Sequence, residues 1–260
     1  MSIFKKTDIY NFADDNTLSV IAENRGEILN ILSQESELAV NWFKENLMIV
    51  NPDKFQFMIL DKKDKNNTSS ELNISGNNIK TIESVKLLGI SIDNHLKFDN
   101  HVSNLCKRAS MQLNAISRLK QYMSRKEIEV LINSFIYSNF NYCPLIWHFC
   151  SCQSSNKVEQ IQKRCLKLLL DDNINDYKGL LNVSNRSTMS IKRLRVLAIE
   201  IFKTLNSFNP SYMKDIFTPK SISRIHPNNI AVKCHQTAKY GDKSLRCLGP
   251  KIWNSLPENI

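Results

Sequence analysis

No apolar run in this 260-residue chain approaches the roughly 18 residues that a membrane-spanning helix needs. The N-terminus, MSIFKKTDIYNFADD, carries two lysines but lacks an apolar h-region and a small-residue cleavage site, which argues against a secretory signal. The expectation is a soluble intracellular chain, nuclear or cytoplasmic, with no membrane partner. The seven cysteines lack both an even count and a regular spacing, so they read as reduced thiols, mostly in the core. Cys143, His148, Cys150 and Cys152 form a short cluster of possible zinc ligands. They flank the apolar stretch Pro144-Leu145-Ile146-Trp147, however, and no second pair lies at finger spacing. Internal repeats are absent too. What remains is 42% hydrophobic and 23% charged, enough to bury a sizeable core in one or two domains.

Acidic residues are scarce towards the rear. Residues 1–93 hold ten Lys and Arg against fourteen Asp and Glu, whereas residues 94–260 hold 25 against 11. An acidic front and a basic rear suit a metal site followed by a phosphate-binding surface. A solubilising excess on helical faces accounts for the same numbers.

Periodicity divides the chain in the same place. Thr7 to Val20 reads as a β-hairpin turning at Ala13-Asp14-Asp15-Asn16. Ile28, Ile31, Leu32, Leu38, Trp42 and Phe43 predict a helix over about 27–46. Asn51-Pro52-Asp53 breaks the chain, and Phe55, Phe57 and Ile59 then predict one face of a strand. After a polar loop over 61–71, a short hairpin is expected about Ser75-Gly76-Asn77-Asn78, followed by a strand over 85–92 in which Gly89 marks close backbone approach or a bend. Beyond Asp93 the pattern is helical. Val102, Leu105, Ala109, Leu113, Ile116 and Leu119 line one face over about 99–122. Ser124 with Glu127 forms a capping box for a helix to about Asn141. Ser155 with Glu159 suggests a cap for a helix through Leu170. A further helix over 188–207 begins with Lys192, Arg193 and Arg195, charges that oppose its dipole and call for an external reason or solvent. The tail after Pro210 reads as less regular.

Phe12-Ala13-Asp14-Asp15 is the sharpest motif. Two adjacent carboxylates are costly to hold together unless cations compensate them, and magnesium does so in polymerase palms, bridging carboxylates to substrate phosphates. Asp is also a common turn residue, so the pair alone is weak. Its ordered successors sharpen it. Phe12-Ala13-Asp14-Asp15 resembles the [FY]-A-D-D box of reverse transcriptases. Trp42, Asn46, Asn51 and Lys54 resemble the W-x3-N-x4-N-x2-K pattern of LINE polymerases, and Lys86-Leu87-Leu88-Gly89-Ile90 their primer-grip hairpin, with Leu87 where an aromatic often stands. Residues 141–147, 161–167 and 249–257 are similar to the thumb and tail of the same non-LTR, jockey-like elements.

The resemblance implies an α+β fold: a partial reverse-transcriptase palm of antiparallel strands plus helix over 1–95, a helical thumb over 96–172, and a helical, partly irregular C-terminal region over 173–260. It implies Mg2+ as cofactor, held by Asp14 and Asp15, and Lys54 near the incoming nucleotide's phosphates. Leu87, Leu88 and Gly89 would support the primer end, while Lys107, Arg108, Arg118 and Lys120 would meet the phosphates of an RNA template and DNA primer. Plainer readings stay open for the last three groups: a solvated lysine, an ordinary buried strand and a solvated helix face. The family's palm places another metal-binding aspartate on an earlier strand. Only 13 residues precede Asp14, and the sole acid among them, Asp8, belongs to the same hairpin. The expectation is therefore a truncated RNA-directed DNA polymerase, inactive alone. The alternative is a non-catalytic helical module that binds nucleic acid or protein.

Overall fold

The computed structural model describes residues 6–61, 69–170, 176–217, 230–232 and 244–256. Most of the 61–71 loop, Cys234 and Pro257 lie outside them. The chain is α+β and divides into two compact units, Met1–Leu96 and Lys97–Ile260.

The first unit begins with β1 (Asp8–Phe12) paired antiparallel to β2 (Asp15–Ser19). Ala13 and Asp14 make the link, Ala13 at a φ of 52°. Helix α1 (Arg25–Glu45) starts where the Asn24 side chain accepts the Glu27 N–H at 2.8 Å. Its Glu35 carboxylate is buried and accepts the backbone N–H groups of Lys6 and Thr7 at 2.8 and 2.9 Å. That tie fixes the start of β1 on α1. Strands β3 (Glu71–Ile74) and β4 (Asn77–Lys80) form the expected hairpin, with Ser75 and Gly76 both at positive φ. Leu72 and Ile74 point from it into a small core with Val40 and Phe57.

Two expectations need correcting. In residues 55–59 Phe57 is buried, Gln56 exposed and Phe55, Met58 and Ile59 half-buried, yet the stretch forms only one bridge, Phe57 to Thr81. Alternating apolar residues fill a core without supplying the ladder that makes a strand. Residues 85–92 are not one strand but a hairpin of β5 (Ser84–Leu87) and β6 (Ile90–Asp93). Leu88 and Gly89 turn it at φ values of 45° and 84°, the conformation that suits a two-residue hairpin link.

The second unit is helical. Helix α2 (Asp99–Leu119) passes through a 3-10 turn, Lys120–Tyr122, to α3 (Arg125–Leu131), whose Ser124–Glu127 capping box is formed as expected. A π-turn over Ile132–Tyr137 carries the chain into α4 (Ser138–Asn141), then α5 (Pro144–Trp147) and α6 (Cys152–Leu170) follow. Ser155 lies inside α6. The hydroxyl that accepts at its start is Ser151, from the Ser154 N–H at 3.1 Å. Helices α7 (Tyr177–Val183) and α8 (Met189–Leu205), the 3-10 turn Ser211–Ile216 and α9 (Leu245–Trp253) complete the unit. Residues 245–253, expected to be irregular, are helical although Pro250 lies within them.

Helices α2 and α6 run parallel. Asp99 accepts from Ser151 and Ser154 at one end, and Arg164 reaches Ser110 and Asn114 towards the other. The two helices pack together, α2 burying Val102, Ala109, Leu113 and Ile116, and α6 burying Val158, Cys165 and Leu166, the last in a cluster with Leu180 and Leu181 of α7. Removal of this apolar surface from water supplies the main driving force for the packing. No helix among the described residues is long and apolar enough to cross a membrane.

Candidate nucleic-acid interface

Asp14 and Asp15 sit together at the tip of the β1–β2 hairpin, both exposed. Tyr10 and Phe12 beside them are 61% and 65% exposed, so the tip is a projecting feature and not a buried acid pair. Two carboxylates are hard oxygen donors of the kind Mg2+ takes, one or two per ion with water filling the octahedron. In donor type the tip fits that ion. Among the described residues no group of three or more Asp, Glu, His or Cys side chains is gathered for a metal, either at this tip or around Cys143, His148, Cys150 and Cys152.

Lys54 is the exposed last residue of a 3-10 turn over Pro52–Lys54, which Asn51 caps by accepting the Asp53 N–H at 3.0 Å. It forms no ion pair with Asp14 or Asp15. Leu87 is half-buried at the end of β5, and Leu88 and Gly89 are the exposed turn that follows. These three therefore present a hairpin tip, not a buried strand.

The basic residues belong to the second unit. Lys107 and Arg118 are both exposed on α2. Eleven residues separate them, close to three full turns, so they share a face about 16.5 Å apart along the axis. Arg108 is exposed but rotated by about 100° from Lys107. Arg118 and Lys120 come together with Ser117 and Gln121 around an open groove of about 680 Å3. Cations at this C-terminal end of α2 also sit favourably against its dipole.

Sequence reasoning missed two side chains, Glu35 and Arg164, and left open what the Arg193 charge meets. Glu35 anchors the hairpin that carries Asp14. Arg164, exposed on α6, donates to Ser110 Oγ at 3.1 Å and Asn114 Oδ1 at 2.9 Å. Arg193 is 3% exposed, stacks 5.0 Å from the Trp147 ring centroid and donates to Ser155 Oγ at 2.7 Å. Lys192 lies 4.6 Å over the Tyr137 ring. The basic start of α8 thus has the external reason its position demanded, in aromatic faces and in Glu159 of α6. Helical period cannot reveal such pairs, because the partners lie 30 to 55 residues away.

The thiols divide by burial. Cys106, Cys150, Cys165 and Cys247 are buried, and Cys143 and Cys152 exposed. Burial pushes Cys106 up to about 11 and Cys165 up to about 12, so both remain protonated core groups. No family model matches the chain, and no curated protein or solved structure matches it either.

Proposed function

We propose that the chain is the palm-to-thumb portion of an RNA-directed DNA polymerase of the LINE type, contributing a nucleic-acid grip and part of a metal site. The observation that carries this reading is the exposed Asp14–Asp15 pair held at a hairpin tip, followed in order by the other motifs that resemble that family. Asp14 and Asp15 would hold Mg2+, which when bound neutralises phosphate charge. Lys54 would offer its ammonium to the phosphates of an incoming nucleotide. The Leu87–Gly89 tip would support a primer end, and Lys107, Arg108, Arg118 and Lys120 would take the phosphates of template and primer. Two-metal phosphoryl transfer needs a clamp around both ions. A lone carboxylate pair does not make one, so no turnover is expected from this chain alone.

A second reading, a non-catalytic helical module, is favoured by the compactness of Lys97–Ile260 as a unit. Primer extension on an RNA template with Mg2+, alongside binding of the same template–primer, separates the two. The polymerase reading expects Mg2+ to tighten template–primer binding and Asp14→Ala to abolish that gain. A gain that survives Asp14→Ala, or no gain at all, favours the module. Extension by the chain alone would sink the inactivity expectation.

A further inference from the structure

Arg164 reaches from α6 to α2 onto two neutral acceptors, Ser110 Oγ and Asn114 Oδ1. A guanidinium carries five N–H donors. Two are engaged here, which leaves three and the whole positive charge for something else. Among the described residues no carboxylate forms an ion pair with it. The sequence has no Asp or Glu between Asp99 and Glu127, and the one acid within α6, Glu159, is directed to the N–H groups of Met189 and Ser190 and to the Tyr177 hydroxyl.

Other cations share this side. Lys157 is exposed seven residues before Arg164 on α6, close to two turns and about 10.5 Å along the axis. Lys107 and Arg118 stand on the adjoining helix. Packed helices lie about 8–10 Å apart, so the cations make two rows on one rigid, parallel pair. Neither α2 nor α6 contains Phe, Tyr or Trp. Proteins that bind single strands without sequence preference rely on aromatic side chains to stack the bases. A ridge with charge and no stacking platform reads phosphates alone.

We infer that Arg164 is the fixed anchor of a two-row phosphate-binding ridge, with Lys107 and Arg118 from α2 and Lys157 from α6, that takes the sugar–phosphate backbone of a nucleic-acid duplex. The inference rests on the nucleic-acid reading above, and adds α6, the anchoring device and the preference for duplex. Ser110 and Asn114 hold the guanidinium in place before the ligand arrives, so less side-chain freedom is lost on binding. They are positioning residues.

The test measures fluorescence anisotropy of the full chain with a 20-base-pair RNA–DNA hybrid, the two separate single strands and phosphatidylserine vesicles, across a salt titration. The hybrid should bind most tightly, with affinity falling steeply as salt rises. Arg164→Gln should weaken it on the order of fivefold and lower the log–log salt slope by about one. Lys157→Gln should lower the slope similarly. The double variant Ser110→Ala with Asn114→Ala removes no charge, yet should weaken binding with the slope unchanged. That split between affinity and slope is a readout that simple loss of charge does not give. If Arg164→Gln does not fold, as judged by circular dichroism, the Lys157 and Ser110/Asn114 variants decide. An unchanged affinity and slope in the α6 variants, while Lys107→Gln and Arg118→Gln still weaken binding, would overturn the anchor and leave the nucleic-acid reading standing. A flat salt response of the unaltered chain would remove that reading itself. Equal or tighter binding of single strands or vesicles would overturn the duplex assignment.

Discussion

The Glu159 carboxylate on α6 accepts the backbone N–H of Ser190 at 2.8 Å, and its other oxygen accepts that of Met189 at 3.1 Å. Helix α8 has no acid in its own first turn, so its positive dipole end is met by a charge from another helix. Glu159→Gln keeps the shape and removes the charge. The expected cost is about 1.5–3 kcal/mol, the range for hydrogen bonds to a charged partner, read from urea denaturation. A variant as stable as the parent would show that Thr188, which caps Ile191, suffices alone.

Arg193 poses the opposite case. Its Nε and Nη1 are buried without a hydrogen-bond partner, and only Nη2 is satisfied, by Ser155. A buried charge is seldom worth its desolvation unless fully paired. Arg193→Met should fill the same volume against Trp147 and leave stability unchanged or raise it. Trp147→Ala, which empties the space of a fully buried indole, should cost about 3–5 kcal/mol. A loss above about 2 kcal/mol in Arg193→Met would mean that ordered water completes the guanidinium's hydrogen bonds.

His148 gives the acid limb of stability a definite window. Burial, with the Arg193 charge second, holds its imidazole down at about 4 against an ordinary 6.5. The folded chain keeps a neutral ring at pH values where the unfolded chain has bound a proton. Its contribution is complete above the unfolded value and drains away as pH falls from about 6.5 towards 4. His148→Phe removes that uptake, so the variant's urea midpoint should change less across the window than the parent's. Parallel profiles would place the ring in water.

Much of this was legible from local signals. The Asp14–Asp15 hairpin, the helical stretch of α1 and the Ser124–Glu127 capping box each depend on residues within a few positions of one another. The β5–β6 turn was hidden from periodicity, because Leu88 continues an apolar run and a period does not reveal a positive φ, whereas the motif resemblance at Lys86–Ile90 is to a hairpin. Arg164 was hidden for a different reason. Its acceptors lie 50 and 54 residues earlier, and only the parallel docking of α2 on α6 brings them within reach.

The Gly249-Pro250 pair, in a tail that reads as less regular from sequence, sits inside α9 for a packing reason. A Cβ built on Gly249 would lie 2.8 Å from Phe217 Cε1 and 3.4 Å from Ile201 Cδ1. Phe217 and Ile201 are both buried in the cluster that α8 and α9 share, so the ring has little room to withdraw. Gly249→Ala should therefore lose about 1–3 kcal/mol through overpacking, even though Ala is the better helix former by nearly 1 kcal/mol. Shortening the obstruction should reverse the sign. In a Phe217→Leu background, adding Gly249→Ala should cost far less than in the parent, a non-additivity that a double-mutant cycle reads directly. Additive losses would mean that the glycine answers to the backbone beside Pro250 and not to the Phe217 ring.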